Sequence, residues 1–317
     1  IDAKPSAPSA TTHPVRTLIK EILPMLPGVN LWLLRWEGAS PNAQWLNLGI
    51  GICIALTAAG LIQVTGDTLQ WLALGIGLYC AFSWAQVLIC RDPVCFGLIF
   101  QCKTLRYLYL YFGLQVFVSA GIGFWMIPWF QRSFGVDTLE IGAVMGLIFA
   151  GGGLAGVVLG GVVADKLRQY TQRGKLYVAL CGVVIYLLAA VCMLSTQQVL
   201  AAYGFAFLII FSAALGAAPM GSTVSDLMIP RTRAIAMALY ILVSNFLGTA
   251  LGPYAIGLLS DSFMAAGSDS AEALRYSMQL SLIIKGVSIL FLLLAIKHIT
   301  ADEDSLLERA RALGEDV

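Results

Sequence analysis

Eight apolar runs, each about 20 residues or longer and almost free of charge, constrain this chain more than any other feature. At 1.5 Å of rise per residue, about 20 apolar residues cross the hydrocarbon core of a bilayer. Backbone amides in lipid must be satisfied within the segment, which a helix does. The runs lie at 45–65, 69–90, 106–130, 138–163, 176–195, 199–224, 234–259 and 276–296. The expected fold class is all-α, a polytopic transmembrane helix bundle. Composition closes the alternative: 59% hydrophobic and 12% charged residues depart from the roughly 45–50% and 25% of soluble domains. A net charge of +1 without a basic patch gives nucleic acid nothing to bind, so membrane lipid is the first expected partner.

The connections carry the direction of each span, because Lys and Arg collect on the cytoplasmic side. One set holds Arg16, Lys20 and Arg35; then Arg91, Lys103 and Arg106; then Lys166, Arg168, Arg173 and Lys175; then Arg231 and Arg233; and finally Lys297, Arg309 and Arg311. The alternate set holds only Arg132 and Arg275. Both ends of the chain are therefore expected in the cytoplasm, with the spans in a bacterial inner (plasma) membrane.

Residues 1–44 read as a cytoplasmic linker. Its opening, 1–16, is rich in Pro, Ser, Ala and Thr and lacks the apolar core of a signal peptide. Further on, Pro24 and Pro27 break any long helix, and Trp32 and Trp36 suit the membrane surface. The start at Ile1 marks the chain as an expected fragment. Residues 45–91 form a two-helix hairpin, and 92–105 an interfacial connection whose VCFGLIF is too short to cross. Residues 298–317 carry an amphipathic tail, with Leu306, Leu307 and Leu313 against Glu303, Asp304, Glu308, Arg309 and Arg311. Seven scattered cysteines without CxxC spacing are expected to be small buried hydrophobes, and no metal or cofactor is expected.

Two stretches carry mechanism. In GGGLAGVVLGGVVADKLRQ, Gly152, Gly156 and Gly160 recur every four residues, one helix face on which another backbone can approach closely. Gly161, Asp165 and Lys166 then set an acid and a base at the cytoplasmic end of that seam, a lock that pairs and releases. The seventh run opens IPRTRA, with Arg231 and Arg233 at the cytoplasmic surface and Asp226 nearby, as a gate partner or as one member of a solvated cluster. Gly248, Gly252 and Gly257 keep this helix thin, and Pro253 removes a backbone hydrogen bond and kinks it.

These residues resemble a known family. GGVVADK looks like the G-x-x-x-D-(R/K) loop signature of the major facilitator superfamily. IPRTRAIAMALYILVSNFLG and LGPYAIGLLSD are similar to the Spinster-like branch, where a proline–arginine entry and a G-P-x-x-x-G-x-x-S-D exit flank the eleventh helix. WMIPWFQRSFG resembles that branch's seventh helix, with its W-x-x-P element and the following Arg132. The resemblance implies that 106–297 is the six-helix C-terminal half of a transporter, with an N-terminal half of the same chain missing before Ile1. Two features depart from the pattern: Leu167 and Arg168 replace a later glycine of the loop signature, and the 45–91 hairpin is extra.

An ionisable residue at mid-bilayer marks a functional site by default, and Lys285 is the clearest. No acid shares its depth, so its partner is expected in the missing half, in the cavity or on an anionic substrate. Further substrate-cavity candidates are Gln115, Ser119 and Trp125 on the third span and Tyr240, Ser244 and Asn245 on the seventh, each equally open to an ordinary interhelical hydrogen bond. The chain has no P-loop, GxGxxG or GxSxG, and His13 and His298 both lie outside the spans. A secondary-active transporter, not an enzyme, is the expectation, with alternating access driven by an ion gradient or the solute's own. The resemblance implies a small or amphipathic, lipid-like, anionic solute, carried by an ion- or proton-coupled symporter or antiporter. The alternatives are a membrane-embedded scaffold or partner half and, third, a membrane enzyme.

Overall fold

The computed structural model describes Leu23, residues 29–36 and residues 41–315. Of the expected linker at 1–44, residues 1–22, 24–28 and 37–40, with Arg16, Lys20, Pro24 and Pro27, lie outside the described residues. The described chain is almost entirely helical, and eight helical stretches, one of them the composite Arg233–Ala265, are long and apolar enough to cross a membrane. It forms two compact units, Ile1–Phe96 and Gly97–Val317.

The first unit contains α1 (Val29–Trp36), α2 (Pro41–Thr65) and α3 (Thr68–Arg91). The last two are joined through Gly66 in the left-handed region at φ 80°, which any side chain would strain. Helix α2 is apolar all round, and only Asn47 and Ala58 of its described side chains are buried. A water-soluble helix of this kind would be driven inside a core, whereas in lipid its Leu46, Ile52 and Leu56 stay at the surface. Association therefore rests on polar contacts. Asn30 Nδ2 donates to Asn47 Oδ1 at 3.0 Å and Ser83 Oγ at 2.7 Å. Asn47 Nδ2 donates to Gln86 Oε1 at 2.6 Å, and Tyr79 OH donates to Asn47 Oδ1 at 2.7 Å. Asn30, Asn47 and Ser83 are fully buried, and their hydrogen bonds bind α1, α2 and α3 together.

Helix α4 (Pro93–Gln101) is the short VCFGLIF segment, too brief to span. The second unit is then built from α5 (Lys103–Phe134), α6 (Thr138–Tyr170), α7 (Gly174–Ser195), α8 (Val199–Asp226), α9 (Arg233–Val243), a π-helical segment (Ser244–Ala250), α10 (Gly252–Ala265), α11 (Ser270–Asp304) and α12 (Leu306–Ala312). Several helices outrun their apolar runs. The 35 residues of α11 reach about 52 Å, well beyond a hydrocarbon core of about 30 Å. The tail helix read at the sequence level is thus the projecting end of α11 followed by α12.

Helix ends are set by local chemistry. Gly135, at φ 64°, closes α5, and Asp137 caps α6 by accepting the Leu139 N–H at 3.0 Å. Asp269 caps α11 in the same way through Ala271. Helix α6 packs along α8, α8 along α7, and α11 along α5. Trp129, Phe130, Met126, Met145, Tyr186, Met193, Ile209 and Met278 fill the core between them. Leu147, Leu154 and Leu188 remain more than half exposed, as a lipid-facing surface requires. The cysteines depart from expectation: only Cys95 and Cys102 are buried, while Cys53, Cys181 and Cys192 are exposed. In lipid an apolar thiol gains nothing by hiding.

Candidate functional site

Two glycine seams position the candidate residues. The first joins α6 to α8. A methyl group built at Gly156 would strike the Phe211 carbonyl and stand 2.7 Å from Ala214 Cβ. At Gly160 it would lie 2.6 Å from the Leu215 carbonyl oxygen, and at Gly152 3.3 Å from that of Phe207. The obstacle is backbone at all three positions, so no rotamer change relieves it. Gly161 faces open space and takes no part. Sequence reading missed Gly182 on α7, where a methyl would lie 2.8 Å from the Ser212 carbonyl oxygen; an isolated glycine shows no repeat to find.

The second seam joins α5 to the seventh span. Gly248 and Gly252 meet Val116 and the Phe117 carbonyl so closely that no Cβ fits. Here the helix departs from α geometry: Ser244–Ala250 is π-helical, and Pro253 stands in the first turn of α10. The expected kink at Pro253 is preceded by a widened turn, so the span is broken over about two turns rather than at one residue. Trp125 lies against Gly257, and its Nε1 donates to the Pro253 carbonyl at 2.8 Å. It thereby fastens α5 to α10.

The cavity candidates separate into two groups. Gln115, Tyr240 and Ser244 are buried inside the unit, with Tyr240 stacked on Phe112 at 4.2 Å and the Ser244 hydroxyl donating to Ile241 O at 2.7 Å. Asn245 is exposed, and its Oδ1 accepts from Thr249 Oγ1 at 3.4 Å. Lys285 is fully buried. Its Nζ donates to Ser119 Oγ at 2.7 Å and stands 3.2 Å from the centroid of the Tyr186 ring. Its neighbours within this unit are the hydroxyl of a cavity candidate on α5 and an aromatic face on α7. Tyr186 carried no sequence signal, because an aromatic in an apolar run reads as core.

At the Lys/Arg-rich end the expected pairings are replaced. Asp226 does not pair with Arg231 or Arg233; its Oδ2 accepts from Lys175 Nζ at 2.6 Å, joining the end of α8 to the start of α7. Arg233 Nε donates to Met228 O at 3.2 Å, and Arg231 pairs with Glu315 at 2.7 Å. Asp165 and Lys166 are exposed, and neither makes an ion pair among the described residues. The tail supplies the acids that sequence reading left as a solvated cap. Asp302 accepts the Thr104 N–H at the start of α5 at 2.7 Å, Glu303 pairs with Arg168 at 2.8 Å, and Asp304 accepts from Gln172 at 3.0 Å.

Long apolar helices joined by glycine seams define an α-helical, multi-pass membrane protein. A family model described as Major Facilitator Superfamily matches residues 108–313, well over half of the chain, and the chain belongs to that superfamily, a family of transporters. Among curated relatives it is 26% identical over 234 residues to protein spinster homolog 3 of Mus musculus, covering 64% of this chain and 44% of the relative. It is 29% identical over 145 residues to mouse protein spinster homolog 1, covering 44% and 27%. It is 28% identical over 135 residues to an MFS-type efflux pump of Mycolicibacterium smegmatis, covering 42% and 30%. The chain thus spans less than half the length of these relatives. Its fold is similar to the crystal structure of a bacterial homolog of the human lysosomal transporter Spinster in an inward-facing, unoccupied conformation. The TM-score there is 0.60 at 17% identity, over 81% of this chain and 66% of that one.

Proposed function

We propose that this chain is the C-terminal part of a secondary-active transporter that works by alternating access, completed by an N-terminal half of the same protein. The observation that carries the reading is the seventh span. It is pinned to α5 by Gly248 and Gly252 and is interrupted by a π-helical segment in the same place. A helix that is closely packed yet locally unwound gives a bundle one place to flex as its halves rock. Asn245 and Thr249, polar and exposed on that segment, are the favoured solute contacts, and Lys285 with Ser119 forms a separate buried polar pair. Resemblance to Spinster-like proteins supports an amphipathic, lipid-like anionic solute and coupling to protons or another ion. The abundance of Lys and Arg at the tail end supports a cytoplasmic placement of that end in a bacterial inner membrane. Asp165, Lys166, Arg231 and Arg233 are its gate residues.

Uptake into proteoliposomes by the full-length protein, with and without a pH gradient and across lipid and small-solute panels, tests this. Gradient-dependent flux is expected, and Lys285→Ala is expected to lower it at unchanged protein level. No flux for any solute class sinks the transport reading and favours the scaffold alternative. Unchanged flux in Lys285→Ala leaves that residue a structural pin between α5, α7 and α11.

A further inference from the structure

The Lys/Arg-poor end of the second unit has only two basic residues, Arg132 and Arg275. They lie 143 positions apart in the chain (275 − 132), yet both line one cavity of about 460 Å³ between the end of α5, the α7–α8 connection and the start of α11. That volume falls within the range of about 300–1,000 Å³ typical of small-molecule sites. The bias that keeps Lys and Arg off this side of a membrane makes the convergence of both exceptions informative.

The cavity is rich in donors. Trp129 lines it and is 1% exposed, and its Nε1–H is buried without an acceptor. Arg275 Nε is likewise buried and unpartnered. Thr196 and Gln197 add a hydroxyl and an amide to the lining. A buried donor left unpaired costs free energy that an acceptor in the cavity restores. The two acids present leave the guanidinium groups largely available. Asp269 is committed to capping α11, accepting from Ala271 N at 3.1 Å. Glu272 reaches Arg275 only at 3.5 Å, with its side chain 52% exposed. Arg132 makes a long contact to the Ser270 carbonyl, also 3.5 Å, and Arg275 lies 5.2 Å from the Tyr276 ring centroid.

We infer that this cavity binds a phosphate-type oxyanion through Arg132, Arg275 and the Trp129 N–H. Two planar guanidinium forks suit the several oxygens of a phosphate, each able to donate paired, charge-assisted hydrogen bonds. The anion displaces the loose Glu272 contact and gives the two buried N–H groups an acceptor. Its source is a phospholipid headgroup at this membrane surface or free phosphate. The site stands apart from the transport reading and does not depend on it.

The test uses the full-length protein, delipidated in detergent and then supplied with phosphatidylglycerol, with a phosphate-free galactolipid, or with inorganic phosphate alone. Retained lipid is read by native mass spectrometry, and occupancy by the Trp fluorescence change that Trp129→Phe removes. Retention of phosphatidylglycerol over galactolipid is expected, and each of Arg132→Gln and Arg275→Gln should weaken it about tenfold, the loss typical of one charge-assisted contact. A Trp129-dependent response to inorganic phosphate without lipid selectivity identifies the free anion as the source. Should the double Gln variant fail to fold, Arg132→Lys with Arg275→Lys keeps charge but not the fork, and intermediate retention is expected. Equal retention of both lipids by wild type, with no phosphate response, overturns the inference, as does wild-type behaviour in a folded double variant.

Discussion

The two units of this chain bring helices together in lipid by different means. The first relies on amides and hydroxyls: Asn30, Asn47, Ser83, Gln86 and Tyr79 exchange hydrogen bonds across α1, α2 and α3. The second relies on missing side chains, with Gly152, Gly156 and Gly160 letting α6 lie against the backbone of α8. Lipid tails are as apolar as leucine, so apolar area alone draws no two helices together, and close packing and interhelical hydrogen bonds remain. A hydrogen-bonded seam is specific but loses only one contact at a time. A glycine seam is lost over its whole length when one position is filled, because the obstructing atoms are backbone.

That contrast is open to direct attack. Gly156→Leu should be the most damaging change, lowering stability by about 3 kcal/mol or abolishing folding, since overpacking against a rigid backbone finds no relief. Thermal unfolding in detergent measures it, and a stable variant with native mobility on size exclusion would contradict the seam. Asp226→Asn comes next. It leaves Lys175, with its side chain 9% exposed, facing a neutral partner, and the expected loss is about 1–2 kcal/mol given the partial exposure of Asp226. Added salt should narrow the gap between wild type and variant only modestly, because Lys175 is enclosed while Asp226 is partly exposed. Asn47→Leu removes one member of the amide network and should cost about 1 kcal/mol, near the upper part of the range measured for intramembrane hydrogen bonds. Its effect should be confined to protease protection of the first unit. Gly153→Leu is the control. It sits on the seam helix but faces open space, and the better helix former should leave stability unchanged or raise it by a few tenths of a kcal/mol, roughly what relieving a helical glycine gives. If Gly153→Leu and Gly156→Leu behave alike, helix propensity rather than packing is being measured.

Much of the architecture was legible because lipid imposes few rules and each is written locally. A span needs a run of apolar residues, and a seam needs glycines four apart; both are visible within 20 residues. The ion pairs at the Lys/Arg-rich end were not legible, because side-chain pairing across the bundle has no local signature. Asp226 has Arg231 and Arg233 beside it in the chain and pairs instead with Lys175, 51 positions away. Lys285 stood out by depth alone, but its partners are a serine and a tyrosine, residue types that apolar runs contain routinely. The polar network of the first unit had a signal that was passed over: Asn47 and Gln86 are both amides placed inside spans.

The π-helical segment has a consequence for the rest of its span. Lengthening the hydrogen-bond spacing from four residues to five accommodates one extra residue, which in a continuous α-helix would advance the following side chains by about 100°. Faces drawn on α9 from Arg233 and faces drawn on α10 from Pro253 therefore belong to two different helical wheels. Shortening Ser244–Ala250 by a single residue would rephase them, turning every side chain of one half relative to the other while leaving composition and apolar length almost untouched.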